Sequence, residues 1–90
     1  YVQIRSKLAA DSRLHKDLIQ RLYDELGPIS SEASEIDGIK LIIDENSWVL
    51  IRPSNTEHAV RISVESLADK ASALYEQIIS RAKLVYDEIR

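Results

Sequence analysis

Hydrophobic positions alternate along the opening segment, where Val2 and Ile4 stand against Gln3 and Arg5, so residues 1–8 read as a short, half-buried strand. The period then lengthens. Leu14, Leu18, Ile19, Leu22 and Leu26 recur on one face at helical spacing, with Asp11 or Ser12 placed to accept from the free N–H groups at the helix start. Gly27, as a left-handed cap, and Pro28, which cannot continue the ladder, predict its end. His15 falls on the polar side and reads as a solvated residue, since no second histidine or cysteine stands at ligand spacing. Residues 28–35 are rich in Ser and Glu without periodicity and read as a loop.

Alternation returns at Ile39, Leu41 and Ile43, against Lys40 and Ile42. Asp44-Glu45-Asn46-Ser47 predicts the turn into an antiparallel neighbour. On that neighbour Trp48, Leu50 and Arg52 share one face and Val49 and Ile51 the other, and a strand apolar on both sides belongs in the middle of a sheet. Val60, Ile62 and Val64 alternate with Arg61, Ser63 and Glu65 in a further strand with one polar face open to water or to a neighbouring domain. Ser66, with Asp69 three residues on, predicts the N-cap of a last helix. Its apolar stripe is Ala71, Leu74, Ile78, Ala82, Val85 and Ile89, and Lys83 and Asp87 can pair on its charged face. A coiled-coil seam is the alternative for this helix, against which small Ala71 and Ala82 favour close packing on a sheet. The order is β-α-β-β-β-α: an α+β fold in which a four-stranded antiparallel sheet carries two helices on one face.

Composition narrows the function. Ninety residues make a single domain, 1–90, with a modest core. The chain opens at Tyr1 and contains no methionine, which reads as a piece of a longer protein. Without cysteine there is no disulfide framework or thiolate chemistry, and no apolar run is long enough for a signal peptide or a membrane span, so a cytoplasmic origin is expected. A net charge of -3 and a pI near 5.3 argue against a nucleic-acid surface, and an RNA-binding sheet needs stacking aromatics where only Trp48 lies firmly on a strand. There is no Gly-rich phosphate loop before a helix, no nucleophile elbow and no aspartate cluster for magnesium. No complete active site is present.

Candidate chemistry concentrates in Arg52-Pro53-Ser54-Asn55-Thr56-Glu57, where one guanidinium, two hydroxyls and a carboxamide fall between two apolar strands. Pro53 fixes its φ and Asn55 tolerates a left-handed turn, so the loop is preorganised. Arg52 offers a planar fork for two phosphate oxygens, and Ser54, Thr56 and backbone N–H groups suit the remaining lone pairs. The same residue types also build ordinary polar hairpin turns, and a docking or regulatory module with an open sheet face shares the pattern.

Asp37-Gly38, the strand Trp48 to Ile51, the loop Arg52 to Glu57, Arg61 and Glu65 follow one another in an order that resembles the last domain of the α-D-phosphohexomutases, the phosphoglucomutase and phosphomannomutase family. The family loop runs R-P-S-G/N-T-E-P, and His58 stands here in place of its proline. The resemblance covers nearly the whole chain. It implies an isomerase of carbohydrate metabolism whose fourth domain holds the non-transferred phosphate of a hexose 1- or 6-phosphate through Arg52, Ser54, Asn55 and Thr56. Arg61 is a weaker addition, and Glu57 orients Arg52 or the turn's N–H groups. His58 is neutral by default, and only if it lies near the loop would a bound dianion give it a modest pH dependence. The phosphoserine, the magnesium ion and the sugar-reading loop are implied on three preceding domains, so this domain alone is expected to be inactive, with no metal, nucleic acid or membrane as partner. Glucose, mannose and glucosamine phosphates share this loop.

Overall fold

Five strands, not four, form the sheet in the computed structural model, which describes residues 1–35, 38–54 and 56–90. The strands are β1 (Val2–Ala9), β2 (Glu32–Glu35), β3 (Ile39–Asp44), β4 (Ser47–Pro53) and β5 (Ala59–Ser66), in the spatial order β1-β5-β4-β3-β2 and all antiparallel. The additional strand, β2, lies in the segment read from sequence as a loop. It is a four-residue edge that pairs only with β3, Glu32 opposite Ile42 and Ala33 opposite Leu41. An edge strand this short buries little, so it carries no apolar alternation to betray it.

β4 occupies the centre, as expected of a strand apolar on both sides. Its Val49 and Ile51 join Ile39, Leu41, Val60, Ile62 and Val64 on one buried face of the sheet. Helix α1 (His15–Leu26) packs over β3 and β4, and α2 (Ala68–Ile89) over β1 and β5. Leu18, Leu22 and Ile78 close this core without solvent exposure, and both helices lie on the same face. Ala71 and Ala82 are buried, which brings α2 close to the strands as the sheet-packing reading requires. No helix among the described residues is long and apolar enough to cross a membrane.

Several local expectations are corrected. His15 is buried, and its Nε2 lies 2.8 Å from the Ala10 carbonyl, which can only accept, so Nε2 carries the proton. His15 opens α1 on the same face as Leu18, Ile19 and Leu22, three, four and seven residues on; a 3-10 turn over Ser12–Leu14 precedes it, and Asp11 caps that turn by accepting from the Arg13 N–H at 2.9 Å. Gly27 is right-handed, with φ -52°, because α1 runs into a second 3-10 turn, Gly27–Ile29, instead of a left-handed cap. Ser66 does not cap α2. It ends β5, and its buried hydroxyl meets that of Ser47 at 2.6 Å, while Leu67 takes the cap position with no side-chain bond. Asp87 pairs with Arg90 at 3.1 Å.

Candidate phosphate site

The face of the sheet away from the helices carries the candidate cations. Pleating sends Gln3, Arg5 and Lys7 of β1, Arg61, Ser63 and Glu65 of β5, and Trp48, Leu50 and Arg52 of β4 to that side. Antiparallel register then aligns them in rows. Lys7 lies opposite Arg61, and Arg61 opposite Arg52, so three cations stand side by side on three adjacent strands. One row further along, Arg5 faces Ser63 and Ser63 faces Leu50. A shallow cleft of about 570 Å³ opens over these rows. Trp48 lines its far end, held by an Nε1–H bond to Glu65 Oε2 at 2.8 Å and by Lys40, whose Nζ sits 5.9 Å from the ring centre.

The loop leaves β4 at the end of the cation row. Its neck is closed by the Ser54 N–H donating to the Ala59 carbonyl at 3.1 Å. Ser54 is buried, 9% exposed, and its Oγ accepts from the Thr56 N–H at 3.4 Å, so this hydroxyl shapes the turn and retains its own proton to donate. Arg52 and Thr56 are exposed. Asn55 lies outside the described residues, as does Asp37 of the Asp37-Gly38 pair.

Among the described residues Glu57 bonds neither Arg52 nor a backbone N–H of the turn. It accepts from Lys7 Nζ at 2.8 Å, and that bond, the Lys7 charge and the charge of Arg61 hold its carboxyl below the usual range. The reason is topological, since β1 lies beside β5 and delivers an ammonium to the loop tip. At the loop exit, His58 makes two bonds to the turn after β1: its carbonyl accepts from the Ala10 N–H and its Nδ1 from the Ser12 N–H, both at 2.9 Å. That turn is itself anchored to α2 by the Asp11 N–H donating to the Tyr86 hydroxyl at 2.9 Å. Where the family loop has proline, this chain fixes the exit by tertiary bonds.

Gly38 supports the site from below. Its φ is +121°, and a Cβ there would lie 2.3 Å from the Ile51 carbonyl oxygen and 3.0 Å from Arg52 Cα. Only glycine lets β3 start this close to the backbone that carries the guanidinium.

Comparison with known proteins settles the family. The profile described as "Phosphoglucomutase/phosphomannomutase, C-terminal domain" matches residues 3–81. The chain belongs to this family. Within it, the chain is 36% identical over 81 residues to a probable phosphoglucosamine mutase of Methanothermobacter thermautotrophicus, an alignment covering 86% of this chain and 18% of that protein. It is 39% identical over 69 residues to a probable phosphoglucosamine mutase of Methanobrevibacter smithii, covering 76% and 15%. A third, from Pyrococcus furiosus, is 35% identical over 95 residues, covering 93% and 21%. The chain thus spans about a fifth or less of the length of these curated relatives.

Of the site residues expected from the sequence, the structure sets Arg52 opposite Arg61 on the open face, and Ser54 and Thr56 lie in the loop that follows Arg52. Lys7 stands next to Arg61 on β1, Gly38 lies against the Arg52 backbone, and Trp48 lines the far end of the cleft. Among the described residues no group of three or more His, Asp or Glu side chains converges on a metal position.

Two carboxyls near the loop yield a pH expectation. Arg13 holds Asp11 far below the usual range through a side-chain bond at 2.6 Å and its backbone N–H, and Lys7 lowers Glu57. Folded values lower than unfolded ones make these contributions complete above the unfolded range, near pH ~4, and lost as pH falls through the folded values. The carboxyl carbon signals of Asp11 and Glu57 are therefore each expected to titrate with a midpoint below that of an ordinary aspartate or glutamate. A midpoint above the ordinary carboxylate range for either would contradict the assignment.

Proposed function

We propose that this domain holds the non-transferred phosphate of a phosphosugar inside a longer phosphohexomutase. The observation that supports this best is the placement of Arg52 and Arg61 directly opposite each other, at the foot of a loop closed by the Ser54–Ala59 bond. Like charges in facing cross-strand positions repel, and a phosphate dianion relieves that repulsion. The Arg52 fork takes two oxygens, and the Thr56 hydroxyl, the Ser54 O–H and, by resemblance, Asn55 supply further donors.

A site that reads phosphate and little of the sugar suits a reaction in which either end of the hexose must be held in turn. The phosphoryl-transferring residues and the magnesium ion belong, on this reading, to preceding domains, which are the partners of this one in a cytoplasmic isomerase. Among candidate sugars, a glucosamine phosphate is favoured, because the relatives named above are phosphoglucosamine mutases.

The test is an amide NMR titration of the chain with inorganic phosphate at low salt. Millimolar binding is expected, about 4 kcal/mol, since the open loop faces water and each ion pair is screened. Shifts should concentrate at Ser54, Thr56 to His58 and Arg61, with sulfate reproducing them and glucose not. Shifts scattered over Lys16, Arg81 and Lys83 would mean diffuse attraction and reject the reading.

A further inference from the structure

Lys7 lies outside the loop that the sequence marks, yet its Cα partner in the sheet is Arg61, whose other neighbour is Arg52. Its ammonium is already occupied by Glu57, a residue of the loop itself. The Lys7–Glu57 pair is half exposed, 52% and 46%, so water and solutes reach both partners. We infer that Lys7 is the third cation of the phosphate site and that Glu57 is its exchangeable counter-ion, a carboxylate that offsets one of the row's three charges until an arriving phosphate displaces it. This rests on the reading of the loop as a phosphate site.

An anchoring role for Glu57 is the competing account, and the hydrogen bonds weigh against it. The neck is held by the Ser54–Ala59 bond, the turn by the Thr56–Ser54 bond, and the exit by both bonds of His58. Among the described residues these bonds hold the loop without Glu57. Glu57 also feels the row beyond its own partner, since after Lys7 the next charge that lowers its pKa is Arg61, itself a row member. A phosphate dianion brings more charge and more acceptor oxygens than one carboxylate, and it engages Arg52 and the loop's donors at the same time. Lysine suits the exchange, because its flexible stem and rotatable donors can move from one anion to another without a fixed fork geometry.

The experiment measures the affinity of inorganic phosphate for the chain at low salt, with Lys7→Met, Glu57→Gln, their double variant, and Glu76→Gln as a control that removes the same charge from the exposed side of α2. Glu57→Gln should bind phosphate about two- to fivefold more tightly, the scale of one exposed ion pair, and clearly more tightly than Glu76→Gln. Lys7→Met should bind more weakly by a similar factor. In the Lys7→Met background Glu57→Gln should gain no more than the control, and in the unsubstituted chain the Lys7 ammonium signal should move as phosphate is added. Weaker or unchanged binding by Glu57→Gln overturns the proposal and makes Glu57 an anchor or a bystander. Should binding be localised at the loop and lost in Arg52→Met while Lys7 and Glu57 variants remain silent, this inference fails and the phosphate site stands. Shifts that no substitution on the open face alters would overturn both.

Discussion

Gly38→Ala is expected to destabilise the domain by about 2 to 4 kcal/mol, combining a strained backbone with a steric overlap that side-chain motion cannot relieve. The group it would strike is backbone: the Ile51 carbonyl oxygen at 2.3 Å and Arg52 Cα at 3.0 Å, with the Arg52 side chain next at 3.3 Å. Alanine loses some unfolded-chain entropy, which favours folding by roughly 0.4 to 1 kcal/mol at a compatible site, but a φ of +121° is not such a site. The start of β3 must therefore shift away from the end of β4, where Ile39 pairs with Ile51. Urea unfolding checks the first part of this, and the phosphate-induced shifts at the loop check the second, since displacement of the Arg52 backbone should weaken them. A loss of less than about 1 kcal/mol with unchanged phosphate shifts would show that the two strands have room to part.

Arg52→Lys in a full-length enzyme containing this domain should lower kcat/KM by about 1.5 to 3 kcal/mol, between tenfold and somewhat more than a hundredfold. Lysine keeps the charge but replaces two parallel N–H donors by a point contact, so the substrate's phosphate is held with less control of orientation. The fold should not respond, because Arg52 is exposed on the open face. Equal kcat/KM for both proteins would reduce Arg52 to a turn residue. An unfolding midpoint that fell together with activity would instead move the effect from binding to stability.

The elements that bury a continuous stripe were legible in the sequence. The alternation at Ile39 to Ile43, at Val49 and Ile51 and at Val60 to Val64 placed the core face, and the two-sided apolar character of residues 48–51 placed β4 at the centre. Errors arose where tertiary context overrode a local signal. Ser66 has the residue type of a helix cap, yet a buried partner across the sheet, Ser47, claims its hydroxyl. His15 is instead a matter of phase: it stands three, four and seven residues before Leu18, Ile19 and Leu22, so helical spacing itself puts it on the buried face, where the Ala10 carbonyl meets its Nε2. Of the site, the loop was legible because its donors are contiguous, and Arg61 because it follows on the next strand. Lys7 was not. It joins the site only through the pairing of β1 with β5, and the one trace in the sequence was that it shares with Arg5 the polar side of an alternating strand.

The pairing of β1 with β5 also bears on how the chain assembles. β3, β4 and β5 follow one another through short turns, so their pairing encloses few residues, whereas β1 joins β5 only by bringing Val2 to Ser66 and Ala9 to Ala59. That closure encloses α1 and three strands and carries the largest chain-entropy cost in the sheet. Contacts of such long sequence separation are the ones that slow folding most. The three-cation row thus unites two neighbours from the local meander with a third member recruited from the far end of the chain, and it exists only once the least local strand has docked.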